Sequence, residues 1–174
     1  MKKRIMTLVI AAMLTAMSVV IGIFCKNFLN FGAGLFRITF ENLPVVLSGI
    51  MFGPIVGAAV GAASDLISYL LSFQLYPPNL VVTLGAAAIG FTAGLFARFA
   101  VKKPGYAQIV ASGFAAHIVG SMIIKPIGLF QFYGWAVLWR IPVYLVIAPI
   151  EITLLCLLYK NSAFRKVLDK YRKG

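Results

Sequence analysis

Six stretches of this chain are apolar for so long that they dictate the solvent it folds in. They are Met6–Phe24, Ile38–Met51, Ile55–Phe73, Leu80–Val101, Tyr106–Ile124 and Trp135–Tyr159, and none holds more than two charges. A helix rises about 1.5 Å per residue, so about 20 apolar residues cross the hydrocarbon of a bilayer. Composition agrees. Apolar residues make up 61% of the chain and charged residues 11%, against about 45–50% and about 25% in a soluble domain. That leaves too little polar surface to cover a water-soluble globule. An aromatic content of 13% also excludes a disordered chain. The two cysteines, Cys25 and Cys156, are far apart and fit no metal or redox spacing. The expectation is an all-α integral membrane protein, six transmembrane helices in one bundle, with residues 1–174 as a single domain.

Between the runs lie breakers. Phe28–Phe36 is Gly-rich and aromatic and reads as a loop. Phe52-Gly53-Pro54 interrupts the second and third runs. Gln74–Asn79, with Tyr76-Pro77-Pro78-Asn79, reads as a second outer loop. Lys102-Lys103-Pro104-Gly105 reads as a turn, Lys125–Tyr133 as a third outer loop, and Lys160–Gly174 as a basic tail. The first run starts on Lys2, Lys3 and Arg4, as a signal peptide would. It is too long for a signal core, and Cys25-Lys26-Asn27 is no small-residue cleavage site, so it reads as a retained helix.

Charge then orients the bundle. The chain has 16 Lys+Arg against 4 Asp+Glu. Twelve of the basic residues fall on one side of a six-helix topology. They are Lys2, Lys3, Arg4, Arg98, Lys102, Lys103, Lys160, Arg165, Lys166, Lys170, Arg172 and Lys173. Only Lys26, Arg37, Lys125 and Arg140 fall on the other. Cytoplasmic loops carry the Lys/Arg excess, which puts both termini in the cytoplasm. The basic residues are spaced by topology, so nucleic acid is not an expected partner; the lipid bilayer is.

The four outer cations run against that bias and converge on neighbouring outer segments. Singly, each could be an interfacial anchor whose charge snorkels to water. Together they suit an anionic ligand, since arginine forks onto carboxylates and ionisable residues at membrane depth are costly. Of the acids, Glu41, Asp65 and Glu151 lie in apolar runs and need partners; Glu41 could pair with Arg37 at helical spacing. His117 is the only histidine, so it reads as a polar contact inside the fifth helix and no metal site is expected. Aromatic residues crowd the outer side, among them Phe40, Tyr133, Trp135 and Trp139. They suit an interfacial belt or a surface that stacks a flat ligand. Ala12 and Ala16 make a small-xxx-small pattern on the first helix, open to packing within the bundle or against another protein. Gly53, Gly57 and Gly61 make a ridge for internal packing. No Walker loop, G-x-S-x-G, H-E-x-x-H or Cys/His cluster is present, so any ATP chemistry belongs to another chain. No cofactor is expected.

Several segments read together. Arg37-Ile38-Thr39-Phe40-Glu41-Asn42-Leu43-Pro44 leads into the Gly-Pro break and a Gly/Ala helix ending in Asp65-Leu66. Pro78-Asn79-Leu80-Val81-Val82-Thr83-Leu84-Gly85 follows. Then come His117-Ile118-Val119-Gly120-Ser121, Lys125-Pro126-Ile127-Gly128-Leu129 and Arg140-Ile141-Pro142-Val143-Tyr144. Over nearly the whole chain this resembles the substrate-binding S components of energy-coupling factor (ECF) vitamin importers, the folate family most closely.

The resemblance implies a bacterial, multi-pass plasma-membrane subunit, not an enzyme. Such a subunit binds its vitamin from outside under the loops after helices one, three and five. It docks on a transmembrane coupling subunit with two cytosolic ATPases and delivers its vitamin by toppling in the membrane. Ala12 and Ala16 would lie on the docking face. Folate carries a flat pterin, an aminobenzoyl ring and a dicarboxylate tail. Arg37, Lys125 and Arg140 are expected at the carboxylates or holding the loops. Phe40, Tyr133, Trp135 and Trp139 are expected around the rings. Asn42, Asn79 and Gln131 would read the pterin edge, and Asp65 the aminopyrimidine.

Other readings stay open. An S component for pantothenate or riboflavin would share the fold, while cationic thiamine suits the outer cations poorly. A self-sufficient secondary transporter often shows internal repeats, and none is visible between residues 1–87 and 88–174. A membrane enzyme needs convergent acid, base or metal groups, and the acids here are scattered.

Overall fold

The computed structural model describes residues 2–31, 36–71, 79–101 and 105–172, with backbone alone at 2, 30, 31, 36, 37 and 172. Within those residues the chain is almost entirely helical. Helix α1 is Lys2–Phe28, α2 Asn42–Phe52, α3 Pro54–Leu71, α4 Leu80–Leu95, α5 Tyr106–Ala116, α6 Lys125–Tyr133, α7 Arg140–Lys160 and α8 Ser162–Arg172. Wider π turns extend α4 over Phe96–Ala100 and α5 over His117–Ile124, and a 3-10 segment, Gly134–Trp139, joins α6 to α7. The second outer loop before Asn79, the Lys102-Lys103-Pro104 part of the turn and Lys173 lie outside the described residues.

Four stretches are long and apolar enough to cross a membrane: Lys3–Phe28, Pro54–Leu71, Leu80–Ala100 and Tyr106–Lys160. The last is 55 residues long and doubles back. Tyr106 stacks edge-on against Tyr159, Gly113 abuts Ile152, and His117 meets Glu151. Partner numbers fall as the others rise, so α5 and α7 are antiparallel. Counting this stretch as two passes and adding the shorter, apolar α2 recovers the six expected helices.

Three expectations change. Residues Lys125–Tyr133 form a helix, not a loop. Pro126 sits in its first turn, where the missing N–H costs nothing, and nothing breaks the helix until Gly134 at φ 53°. The basic tail also folds. Asn161 Oδ1 accepts the Ala163 N–H at 3.0 Å and starts α8. Phe164, Leu168 and Tyr171, spaced at i, i+4 and i+7, pack on the core. The first outer loop contains a minimal hairpin, Asn30–Phe31 paired antiparallel with Phe36–Arg37.

Glycine brings α2, α3 and α4 into backbone contact. A Cβ on Gly57 would run into the carbonyl of Gly90, one on Gly90 into the carbonyl of Gly57, and one on Gly61 into that of Ala86. The ridge expected from the sequence therefore packs inside the bundle at Gly57 and Gly61. Gly53 instead ends α2 at φ +94°, and Pro54 opens α3.

The distribution of polarity is inverted relative to a soluble protein. Ser48, Ser112, Ser121, His117 and Glu151 are buried, while Ile55 and Leu70 are each 80% exposed. In water that outer surface would aggregate; in lipid it is the solvated face.

Candidate functional site

One end of the bundle gathers the polar side chains. There α1 and α3 finish, α2, α4 and α7 begin, and the π turn of α5 passes into α6. The ends enclose a cavity of about 670 Å³, counted out to its open mouth. Its charged lining is Lys26, Glu41, Asp65, Lys125 and Arg140; Tyr69 and Tyr144 supply its rings. The start of α1 and the end of α7 lie toward the opposite end.

Each charge but one is held. Lys26 Nζ donates to Ser68 Oγ at 2.7 Å. Thr83 Oγ1 donates to Asp65 Oδ2 at 2.8 Å, tying α4 to α3. Lys125 Nζ stands 3.8 Å from Glu41 Oε1 and donates to Asn42 Oδ1 at 3.4 Å. Asn79 caps α4: its Oδ1 accepts the Val81 N–H at 2.9 Å, and its amide donates to the Gly128 carbonyl of α6. Arg140 is the exception. It is 8% exposed, lines the cavity, and its side chain makes no hydrogen bond or ion pair among the described residues. An uncompensated buried charge is expensive, and a guanidinium facing a cavity is offset most readily by an anion inside it.

Below the floor the polar line continues inward. Ser121 Oγ is 3.4 Å from His117 Nδ1, and His117 Nε2 is 2.7 Å from Glu151 Oε2. Lys125, Ser121 and His117 step four residues at a time along the π turn, a geometry that recurs at functional positions. This is the polar contact expected of the lone histidine. Glu41 does not sit within α2 but occupies the position just before it, without a capping hydrogen bond; among the described residues it pairs with Lys125, and the Arg37 side chain lies outside the described residues. Among the described residues no group of His, Cys, Asp or Glu could hold a metal ion.

The structure brings Asp65, Asn79, Lys125 and Arg140 to one cavity. Asn42 lies behind it, lining a smaller chamber with Ser18, Ser64 and Lys125. Tyr133 packs one layer back, against Val82, Leu129 and Val137. Phe40 and the exposed Gln131 do not line the cavity. Trp135 and Trp139 do not line it either; they are 77% and 63% exposed, and Trp135 packs edge-on with Phe130. The rings that do line it were missed in the sequence. Tyr69 lies four residues after Asp65, Tyr144 four after Arg140, and Ser121 four before Lys125. One helical turn from each charged candidate was the available signal.

The model of the ECF transporter substrate-specific component family matches residues 6–165. The chain belongs to that family. As an S component it is a multi-pass membrane subunit of a transporter that works with an ECF module, and the family is not one of enzymes. Comparison with curated protein sequences finds no match. Among solved structures, a crystal structure of FolT bound with folic acid superimposes with a TM-score of 0.68 at 23% identity. The match covers 89% of this S component and 93% of that chain. At that identity the likeness establishes a shared fold.

Proposed function

We propose that this S component is the high-affinity binding subunit for a folate-type vitamin. The observation that carries the reading is Arg140, whose buried side chain has no partner among the described residues and which lines one cavity with Lys125, Asp65 and Asn79. Such a cavity suits a ligand anionic at one end and rich in N–H donors at the other. Folate has that shape: its glutamate carboxylates meet Arg140 and Lys125, and its aminopyrimidine meets the Asp65 carboxylate. Tyr69 and Tyr144 face the rings between. The fold shared with folic-acid-bound FolT supports the same ligand class. Arg37, at the rim of the first outer loop, joins the cation set.

In this reading residues 1–174 act as one transmembrane domain in a bacterial plasma membrane, both termini cytoplasmic and the cavity open outward. Ala12 and Ala16, both exposed on α1, dock on the transmembrane coupling subunit. Two cytosolic ATPases drive the reorientation that opens the cavity inward. A membrane helix face of small residues allows such close approach.

The experiment is a calorimetric titration of the detergent-purified chain with folate, 5-formyltetrahydrofolate, riboflavin, thiamine and pantothenate. One-to-one saturation by the folates alone is expected. Saturation by riboflavin or pantothenate alone replaces the ligand while keeping the family. Accumulation in vesicles without any ATPase partner would instead identify a secondary transporter.

A further inference from the structure

At the end of the bundle opposite the cavity, a second recess opens to the surface, about 1120 Å³ counted out to solvent. Among the described residues three cations line it, Lys3 and Arg4 from the first turn of α1 and Arg98 from the π turn after α4, and no acid does. Its other walls are Thr7, Leu8, Phe52 and Tyr171, the last two stacked edge-on at 5.5 Å between ring centres. We propose that this recess binds the phosphate headgroup of an anionic phospholipid.

Arg98 is the built part of the site. Its Nη2 donates to the Phe52 carbonyl at 2.9 Å, the end of α2. The absence of a side chain on Gly53 leaves it room: a Cβ there would come within 2.5 Å of the guanidinium carbon. This is its one hydrogen bond among the described residues, and a guanidinium has five N–H donors. The side chain is thus fixed at one edge and has donors remaining at the other. Lys3 and Arg4 are exposed and bring their charge to the same mouth. Leu8, 70% exposed, continues the wall along the lipid-facing side of α1, where an acyl chain would lie.

Helix α8 flanks the recess. Phe164, Leu168 and Tyr171 pin it to the bundle, and Arg165, Lys166 and Lys170 face outward. A basic amphipathic helix beside a basic pocket is the arrangement anionic headgroups favour at a membrane surface. A zwitterionic headgroup offers no net charge to three cations. The inference is independent of the vitamin.

Nanodiscs of phosphatidylcholine mixed with phosphatidylglycerol, holding the full chain, test it by native mass spectrometry of retained lipid. One phosphatidylglycerol is expected to stay bound to the wild type. Each cation near a membrane surface contributes about five-fold in affinity, so Lys3→Gln with Arg4→Gln should lower retention by roughly 25-fold. Both residues are exposed, so this variant keeps the fold even where Arg98→Gln does not; Lys166→Gln on the outer face of α8 should have a much smaller effect. Equal retention of phosphatidylcholine, or retention unmoved by the double substitution, overturns the proposal. So does displacement of the lipid by inorganic phosphate with equal stabilisation, which marks a free-anion site. Unchanged lipid retention with lost assembly on the coupling subunit overturns it too, in favour of a protein interface.

Discussion

His117 Nε2 and Glu151 Oε2 lie 2.7 Å apart, each residue side chain 1% exposed, and join the π turn of α5 to α7. Removing one member of such a buried pair leaves the other's polar group unsatisfied, at a cost of about 1–3 kcal/mol. Glu151→Ala should therefore lower unfolding stability in detergent by that amount. Glu151→Gln, which keeps an acceptor toward the ring, should cost clearly less. Equal losses for the two would mean the contact acts by packing alone.

Arg140 predicts two effects of opposite sign. A hydrogen bond to a charged group contributes about 1.5–3 kcal/mol, so Arg140→Ala should weaken folate binding by about ten- to a hundred-fold. The same change removes a buried charge that has no partner among the described residues, so the ligand-free protein should melt no lower than wild type. Titration calorimetry and a melting curve on one preparation check both. Unaltered affinity would remove Arg140 from the site.

Gly57 and Gly90 set the distance between α3 and α4. Gly90→Val meets the carbonyl of Gly57, and a backbone cannot rotate out of the way as a side chain can. A loss of at least about 3 kcal/mol is expected, at the high end for overpacking, seen as a lower melting point or failed expression. Gly105→Ala is the control, since nothing lies within 4 Å of its added Cβ.

The aromatic residues divide. Trp135→Phe with Trp139→Phe should leave folate affinity within about two-fold, because exposed side chains away from such features rarely matter by more than about 0.5 kcal/mol. Tyr144→Ala, on the cavity wall and 4% exposed, should weaken binding by ten-fold or more, as loss of a buried aromatic anchor does. Tryptophan fluorescence should accordingly change little on saturation. Strong quenching, lost in the Trp135→Phe variant, would bring the outer aromatics back to the ligand.

Ala12→Leu with Ala16→Leu should leave vitamin binding unchanged and abolish co-purification with the coupling subunit. Both alanines are exposed on α1, so the larger side chains fit the free protein and fail only at an interface. Full assembly by the double variant would move docking to another face.

Much was legible because lipid simplifies the code. A run such as Leu80–Val101 has one fate in a bilayer, and Phe52-Gly53-Pro54 stops a helix by backbone geometry alone. The polar candidates Asp65, Asn79, Lys125 and Arg140 could be picked out for a related reason: polar groups within or at the ends of apolar runs need a use. Residues Lys125–Tyr133 were misread because Pro126 breaks a helix interior yet suits a first turn, and only the neighbouring turn reveals which applies. Helix α8 was missed because its basic residues masked the Phe164, Leu168 and Tyr171 stripe.

The sequence by itself determined the solvent, the six apolar runs and the asymmetry of charge, since each is a local or summed property of the chain. Tertiary structure decided which residues share the cavity. Trp135 and Tyr144 are equally aromatic and nine residues apart, yet one faces outward at 77% exposure and the other is buried on the wall. Tyr144 faces inward because of the rotation of α7 about its axis, which depends on what His117, Gly113 and Tyr106 present to it across the bundle, whereas Trp135 sits on the 3-10 segment that precedes α7.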